Sequence, residues 1–446
     1  MAKIAAMSGF PEWLPHQRMI EQRIVDTARE VFELHGFAPI ETRSVEPLDQ
    51  LLRKGETDKE IYLLRRLQAD ADESDSELGL HFDLTVPFAR YVLENAGKLE
   101  FPLRRYQIQR AWRGERPQEG RYREFLQADI DIIDRDSLPF HYEVELPLVV
   151  AEVMTRLPVP PIRIHVNTRK IPQGFYRGIG IEDFTAVLRT VDKLAKIGPG
   201  RVHTMLTETA GCSAPQADAC LALAQISASD NSFVDAVRAL GVDDELLDEG
   251  LDELARVIDA GAEFPGLLLA DLSIARGLDY YTGTVYETVL VGHEGIGSIC
   301  SGGRYDALAS DGASTYPGVG VSIGVTRLVA RLLGRDLIAI SRKVPTCVLV
   351  ALPDEDSRPH CEAIAASLRA RRIASQVAPE AAKFGKQIRF AERRGIPYVW
   401  FLQPDGSSQV RDIRSGEQVE ADATRWVPPA EDLYPTISSQ PQEDPS

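Results

Sequence analysis

Between Pro15 and His35 the apolar residues Met19, Ile20, Ile24, Ala28, Val31 and Phe32 recur at helical spacing. That spacing predicts an amphipathic helix with Pro15 in its first turn and Gly36 at its stop. Further along, Leu78 to Leu84, Leu103 to Ala111, Phe125 to Ile133 and Thr284 to Val291 read as strands, the last with clear alternation of apolar and polar positions. Regular helices do not separate these strands, which favours an antiparallel sheet over a doubly wound parallel one. The acidic run Ala69 to Glu77 reads as a solvated loop between two strands.

From about Asn167 to Ala262 the pattern turns helical, in runs such as QADACLALAQISA and ELLDEGLDELARVIDAG, and predicts an inserted helical subdomain over residues 168–262. After residue 335 a short basic linker, 336–344, leads into a second domain, 345–435. There strand Cys347 to Leu352, a helix from Pro359, a strand near Ser375, helix Phe384 to Arg394 and strand Tyr398 to Leu402 alternate as in a small α/β fold. Residues 436–446 read as a disordered polar tail.

Composition narrows the class. With 446 residues, 44% hydrophobic and 26% charged, the chain suits a globular protein of two or three domains. A start without a basic stretch and apolar run, and the lack of any long uncharged apolar segment, lead us to expect a soluble cytoplasmic protein with no membrane partner. Five scattered cysteines suggest neither a disulfide framework nor a zinc site. A net charge of −17 argues against indiscriminate coating of nucleic acid, yet permits a local basic surface.

The densest set of phosphate ligands is RRYQIQRAWRGERPQEGRYREF, Arg104 to Phe125, in which Trp112, Tyr122 and Phe125 interleave with arginines. Guanidinium groups grip phosphate oxygens in two-point contacts, and aromatic faces beside them suit a nucleotide base. ARGLDYYTGTVYE and GSICSGGRYDAL concentrate glycine and tyrosine; taken alone, the tyrosine pair reads as core packing and Gly302-Gly303 as a turn. In PGVGVSIGVTRLVARLLG, Arg327 follows a glycine-rich strand and stands two turns before a helix end. The elements required for a dinucleotide site are not in order there, and GxxxxGK[ST] is absent, so arginines must hold any nucleoside triphosphate.

Together these segments resemble the histidyl-tRNA synthetases, a class II aminoacyl-tRNA synthetase family. RAWRGERPQEGRYREFLQADIDIID is similar to the second class II signature in its histidyl form and PGVGVSIGVTRL to the third. ARGLDYYTGTVYE and SGGRYDAL resemble the two histidyl-specific peptides, and KFGKQIRFAERRGIPYVWF with VRDIRSGEQ resembles the anticodon-binding domain. The resemblance implies an α+β fold: an antiparallel sheet of six or seven strands flanked by helices, a helical insertion, and a C-terminal α/β domain. It implies ATP as substrate, Mg2+ accompanying it, L-histidine and tRNA(His) as partners, and a homodimer.

By the same resemblance Arg113 and Arg276 hold the α-phosphate and belong also to the histidine-binding set. Arg121 and Arg327 hold the outer phosphates, and Glu115 and Phe125 receive the adenine. Asp83, Leu84, Thr85, Gln127, Asp131, Tyr280 and Tyr281 form the histidine site, and Gln118, Arg123, Lys383, Lys386 and Arg389 meet tRNA. Acids suit an α-ammonium, and an acid with a tyrosine hydroxyl suits an imidazole. Two positions depart from the family pattern: His81 stands where an arginine is usual, and Arg43 where the first signature has proline. A relative that has lost catalysis, the synthetase-like regulatory subunit of ATP phosphoribosyltransferase, lacks the second domain and commonly the arginine of RGLDYY. This chain has both.

Overall fold

The computed structural model describes residues 5–52, 60–66, 78–118, 120–275, 281–310, 312 and 314–439. The acidic run Ala69 to Glu77 lies outside them. The chain divides into two compact units, one of Met1–Pro11 with Arg23–Arg331 and one of Glu12–Gln22 with Leu332–Ser446.

The first unit is built on one nine-stranded sheet. Its strands in chain order are β1 (Ala38–Pro39), β2 (Leu103–Trp112), β3 (Glu124–Ile133), β4 (Ile162–Thr168), β5 (Ser227–Ala228), β6 (Leu268–Asp271), β7 (Thr284–Leu290), β8 (Cys300–Tyr305) and β9 (Gly318–Gly324). They lie side by side as β1-β2-β3-β9-β8-β7-β4-β6-β5. The middle six, β2 to β4 in that order, pair antiparallel throughout. The expectation of a purely antiparallel sheet of six or seven strands therefore needs correction: β1 pairs parallel with β2 and β6 parallel with β4, so the sheet is mixed. Both added strands are four residues or shorter, too brief for a period-two pattern to register in the sequence.

β2 and β3, both expected as strands, form a long hairpin in register from Leu103 opposite Ile133 to Trp112 opposite Glu124. Strand structure at residues 78–84 stops at Leu80, and the chain turns into a helix, Thr85–Asn95. Asp83 explains the switch, because its Oδ1 accepts the backbone N–H of Val86 at 3.0 Å and so satisfies one of the helix's free donors.

Gly302 and Gly303, expected in a turn, sit inside β8. A Cβ on Gly302 would lie 2.1 Å from the Gly320 carbonyl oxygen, and one on Gly303 would lie 2.6 Å from that of Thr284. The glycines thus serve close approach of neighbouring strands, a use that sequence alone does not separate from a turn.

The insertion is helical from Lys170–Gly178 to Glu245–Ala260, apart from β5, which pairs with β6 of the main sheet. Its first and last helices are tied by Lys170 to Glu249 and Glu253 at 2.7 and 2.6 Å and by Arg177 to Asp244 at 2.6 Å. The opening helix Pro15–Leu34 runs as predicted, with Ile20, Ile24, Ala28, Val31 and Phe32 buried.

The second unit carries a five-stranded sheet, ordered Ser375–Val377, Val348–Val350, Tyr398–Leu402, Ser408–Asp412, Gln418–Glu420. The first three strands are parallel and the rest antiparallel. Helices Arg358–Ala370 and Phe384–Arg394 pack on it, around a core that includes Val348, Leu349, Leu368 and Trp400. Ile338–Ile340, within the expected linker, pairs with Ile437–Ser439. The stretch expected to be disordered from residue 436 therefore starts as a strand, because alternate residues there supply a partner edge for that linker.

Candidate active site

The β2–β3 hairpin turns at residues 113–123, and its loop, β3, the start of β8, β9 and the helix Val325–Gly334 together enclose a cleft. Arg113, Glu115, Arg121, Tyr122, Phe125, Gln127 and Arg327 all line it, with Ser298, Ser301 and Ser322. The arginines are held from behind. Arg113 donates through Nε to the Phe82 carbonyl at 3.0 Å, and its guanidinium lies 5.1 Å from the Phe125 ring centre. Arg327 donates to the carbonyls of Gly120 at 3.0 Å and Ser298 at 2.7 Å. Arg121 faces Glu115 at 3.5 Å.

Burial, and then the positive charges of Arg121, Arg113 and Arg331, depress the basicity of Arg327, against a smaller opposing effect from Glu115. A set of cations that repel one another in a cleft is compensated by a polyanion. Arginine binding of a triphosphate fits this site, with Phe125 beside it as a flat face for a base.

A smaller pocket adjoins the cleft and shares Ser301 and Ser322 with it. Thr85, Asp129, Asp131, Tyr281, Tyr305 and Gly320 line it. Gln127, Asp129 and Asp131 alternate along β3 and so present one face, set opposite Gly324, Ser322 and Gly320 of β9. Arg105, fully buried on β2, meets Asp131 at 2.5 Å, and the Tyr305 hydroxyl donates to Asp131 Oδ1 at 2.7 Å. The Tyr281 hydroxyl is held well above its ordinary pKa by burial and then by Asp131, Asp83 and Asp129, so it stays protonated as a donor. Asp83 acts on the pocket through its charge, at the turn before helix Thr85–Asn95.

The structure therefore brings half of the expected residues onto the two pockets and leaves the other half elsewhere or outside the described residues. Leu84 is buried and its side chain lines neither pocket. Arg276 and Tyr280 lie outside the described residues. Gln118 is exposed on the hairpin loop, where it bridges to Arg121, and Arg123 donates to the Glu115 carbonyl at 3.2 Å. In the second unit Lys383, Lys386 and Arg389 are exposed at and along the helix Phe384–Arg394.

Other arginines of the dense run serve the scaffold: Arg104 pairs with Glu145, Arg105 with Asp131 and Arg110 with Glu124. Trp112 donates to Glu124 at 2.9 Å and lines neither pocket. His81 is buried, its Nε2 2.6 Å from the Arg110 carbonyl and its ring 5.4 Å from that of Trp112. Arg43 pairs with Glu46 and Glu94 at 3.1 and 3.4 Å.

A family model described as histidyl-tRNA synthetase matches residues 9–328, and one described as anticodon binding domain matches residues 341–427. This chain belongs to the histidyl-tRNA synthetase family. Similar relatives are the histidine–tRNA ligases of Micrococcus luteus, 57% identical over 98% of this chain and 99% of that one, and of Cutibacterium acnes, 56% identical over the same shares. Among solved structures, the histidyl-tRNA synthetase of Nostoc sp. PCC 7120 superposes with a TM-score of 0.86 at 34% identity, covering 95% of this chain and 98% of that chain. A Bacillus halodurans structure titled as an ATP phosphoribosyltransferase regulatory subunit/histidyl-tRNA synthetase superposes at 0.71. With 18% identity over 87% of this chain and 96% of that chain, it speaks for the fold alone.

For the synthetase, sequence reasoning overlooked Asp129, Tyr305 and Ser322 as pocket residues. The signal for Asp129 was present, since a residue two positions from both Gln127 and Asp131 on a strand must share their face. Tyr305 stands in the SGGRYDAL peptide, where its placement depends on the pairing of β8 with β9.

Proposed function

We infer that this enzyme activates histidine with ATP and transfers it to tRNA, the larger cleft taking the nucleotide and the smaller pocket the amino acid. The observation that carries the assignment is the row Phe125, Gln127, Asp129, Asp131 along one face of β3, which leads from the arginine-lined cleft into the acidic pocket. At about 3.3 Å per residue the row spans about 20 Å, so base, phosphate and amino acid lie in sequence along one strand.

In this reading the histidine carboxylate attacks the α-phosphorus, a new O–P bond forms, and the bond to pyrophosphate breaks. Arg113 and Arg276 neutralise the charge gathering at that phosphorus, while Arg121 and Arg327 hold the departing phosphates. Phe125 stacks on the adenine and Glu115 accepts its amino group. Asp83, the backbone of Leu84, Thr85, Gln127, Asp131, Tyr280 and Tyr281 position histidine. The terminal ribose hydroxyl of tRNA then attacks the adenylate carbonyl and AMP leaves. Mg2+ bound with ATP supplies further charge neutralisation.

The two-pocket assignment is tested by Gly320→Ala. Its Cβ would fall 2.0 Å from Asp131 Oδ1, displacing that carboxylate. The variant raises the KM for histidine at least roughly tenfold, the cost of about 1–3 kcal/mol usual for overpacking, and leaves the KM for ATP unchanged. An equal rise in both constants counts against separate pockets.

Lys386, Arg389 and Arg393 share one exposed face of helix Phe384–Arg394, opposite buried Gln387 and Ala391. We assign this face, with Lys383, to the tRNA backbone, and Gln118 and Arg123 to the acceptor end. Arg389→Ala weakens tRNA binding and lowers the slope of log affinity against log salt by roughly 1, without changing pyrophosphate exchange; an unchanged slope removes the assignment.

We also propose a homodimer, supported by Leu63, Leu64 and Leu78, which stay exposed on two paired strands of a small sheet in the first unit. Sedimentation equilibrium then returns twice the 49.3 kDa chain mass, and a single chain mass at micromolar concentration contradicts it. Among the described residues no helix is long and apolar enough to cross a membrane. The five cysteines are buried and unpaired, in keeping with the cytoplasm, where we place the enzyme.

A further inference from the structure

We propose that His81 is a positioning residue for adenylate formation: it sets the Phe82 carbonyl and, through it, the guanidinium of Arg113. β1 pairs with the outer edge of β2 only at Arg105 and Tyr106. Further along that edge His81 takes its place. The His81 carbonyl accepts the Trp112 N–H at 3.0 Å, and its ring Nε2 stands 2.6 Å from the Arg110 carbonyl. A carbonyl can only accept, so Nε2 carries the hydrogen and donates it. The Arg110 oxygen, which would otherwise be an unpaired strand edge, is thereby satisfied.

The rest of His81 is fixed as firmly. It is fully buried, its N–H donates to the Ser44 carbonyl at 3.1 Å, and its ring lies 5.4 Å from that of Trp112. Nδ1 has no hydrogen-bond partner among the described residues, so the ring holds β2 through Nε2 alone. The next residue, Phe82, is buried in a cluster with Leu51 and Val86, and after it Asp83 accepts the Val86 N–H at 3.0 Å. With His81 clamped before it and this turn after it, the Phe82 carbonyl has one direction.

That direction decides where Arg113 points. The Phe82 carbonyl accepts Arg113 Nε at 3.0 Å. A hydrogen bond at Nε fixes the plane of the guanidinium and leaves the two terminal nitrogens as a fork for two phosphate oxygens. Arg113 and Arg121 both act as like charges on Arg327 in the same cleft, so Arg113 is pushed away from its working position until a polyanion arrives. The carbonyl resists that push. Without the His81 donor the chain at 81–82 loosens from β2, the carbonyl shifts and the fork shifts with it; a displacement of about 1 Å costs up to about 10²-fold in rate.

The proposal rests on Arg113 serving the α-phosphate, and the test separates the two. ATP–pyrophosphate exchange is measured on the full chain at saturating histidine and ATP. His81→Leu slows it by roughly 10- to 100-fold. In an Arg113→Ala background the same substitution changes the rate by less than about twofold, because a residue that acts through another has nothing left to act on. Equal slowing in both backgrounds overturns the proposal, and so does His81→Leu at the parent rate beside a slow Arg113→Ala. Arg113→Ala at the parent rate removes the reading of Arg113 and the proposal with it. His81→Gln, whose amide N–H reaches the place of Nε2, restores exchange to within a few-fold of the parent, whereas His81→Asn, one carbon shorter, does not. Glutamine as slow as asparagine overturns the proposal, and this comparison stands even if the leucine variant fails to fold.

Discussion

Replacing Arg113 by alanine slows ATP–pyrophosphate exchange by roughly 10²- to 10³-fold, the loss typical of removing one preorganised donor to developing charge, while unfolding stays close to that of the unmodified enzyme. The two effects separate because of what Arg113 touches. Among the described residues its side chain donates one hydrogen bond towards the protein, to the Phe82 carbonyl, and it lies over Phe125. That bond is worth about 1 kcal/mol. Towards the cleft it shares the phosphate position with Arg121 and Arg327, in a site already strained by like charge. Lysine in its place recovers little, since it lacks the planar fork that meets two oxygens at once. Exchange by Arg113→Ala within a few-fold of normal removes Arg113 from the chemistry.

Arg105→Leu has the opposite profile: it destabilises the fold and the pocket together. Arg105 is fully buried, paired with Asp131 and set 4.2 Å from the Phe88 ring centre. Removing it strands the Asp131 carboxylate in the interior, at a cost of about 3–5 kcal/mol, read as a lower denaturant midpoint. The loss shrinks as pH falls, because an unpaired buried carboxylate has a raised folded-state pKa and is relieved by protonation below it. The double variant Arg105→Leu/Asp131→Leu recovers most of the stability, since an apolar pair replaces an ionic one, but not histidine binding. A single variant as stable as the parent at neutral pH means that the pair is not what holds this part of the sheet.

Asp129 contributes a pH term of its own. Its folded pKa of about 7 stands above the ordinary carboxylate value of 3.8. The folded protein therefore holds more protons than the unfolded chain between these limits, and this group's contribution to stability falls as pH rises across them.

The contrast between Arg113 and Arg105 also shows how far the sequence could be read. Both stand in the same arginine-rich run, and nothing in the local pattern separates a phosphate ligand from the partner of a buried carboxylate. Strand register separates them, by placing Arg105 opposite Asp131. Long elements were legible: Ile20, Ile24, Ala28 and Val31 mark one helix face, and the strand-like run Leu103 to Ala111 marks β2. Short ones were not. β1 and β6 carry too few residues for a period to show, and β8 hides behind Gly302 and Gly303, whose role is set by the carbonyls of other strands. At the site, resemblance supplied Gln127 and Asp131 as separate positions; the pleat of β3 makes them one surface with Asp129 between them.

The measurement that bears most directly on this account is ATP–pyrophosphate exchange run with each amino acid in turn. Cations converging on a triphosphate beside an acidic pocket with tyrosine hydroxyls predict that label enters ATP when histidine is present and with no other amino acid. Exchange supported equally by another amino acid, or none with histidine, contradicts it.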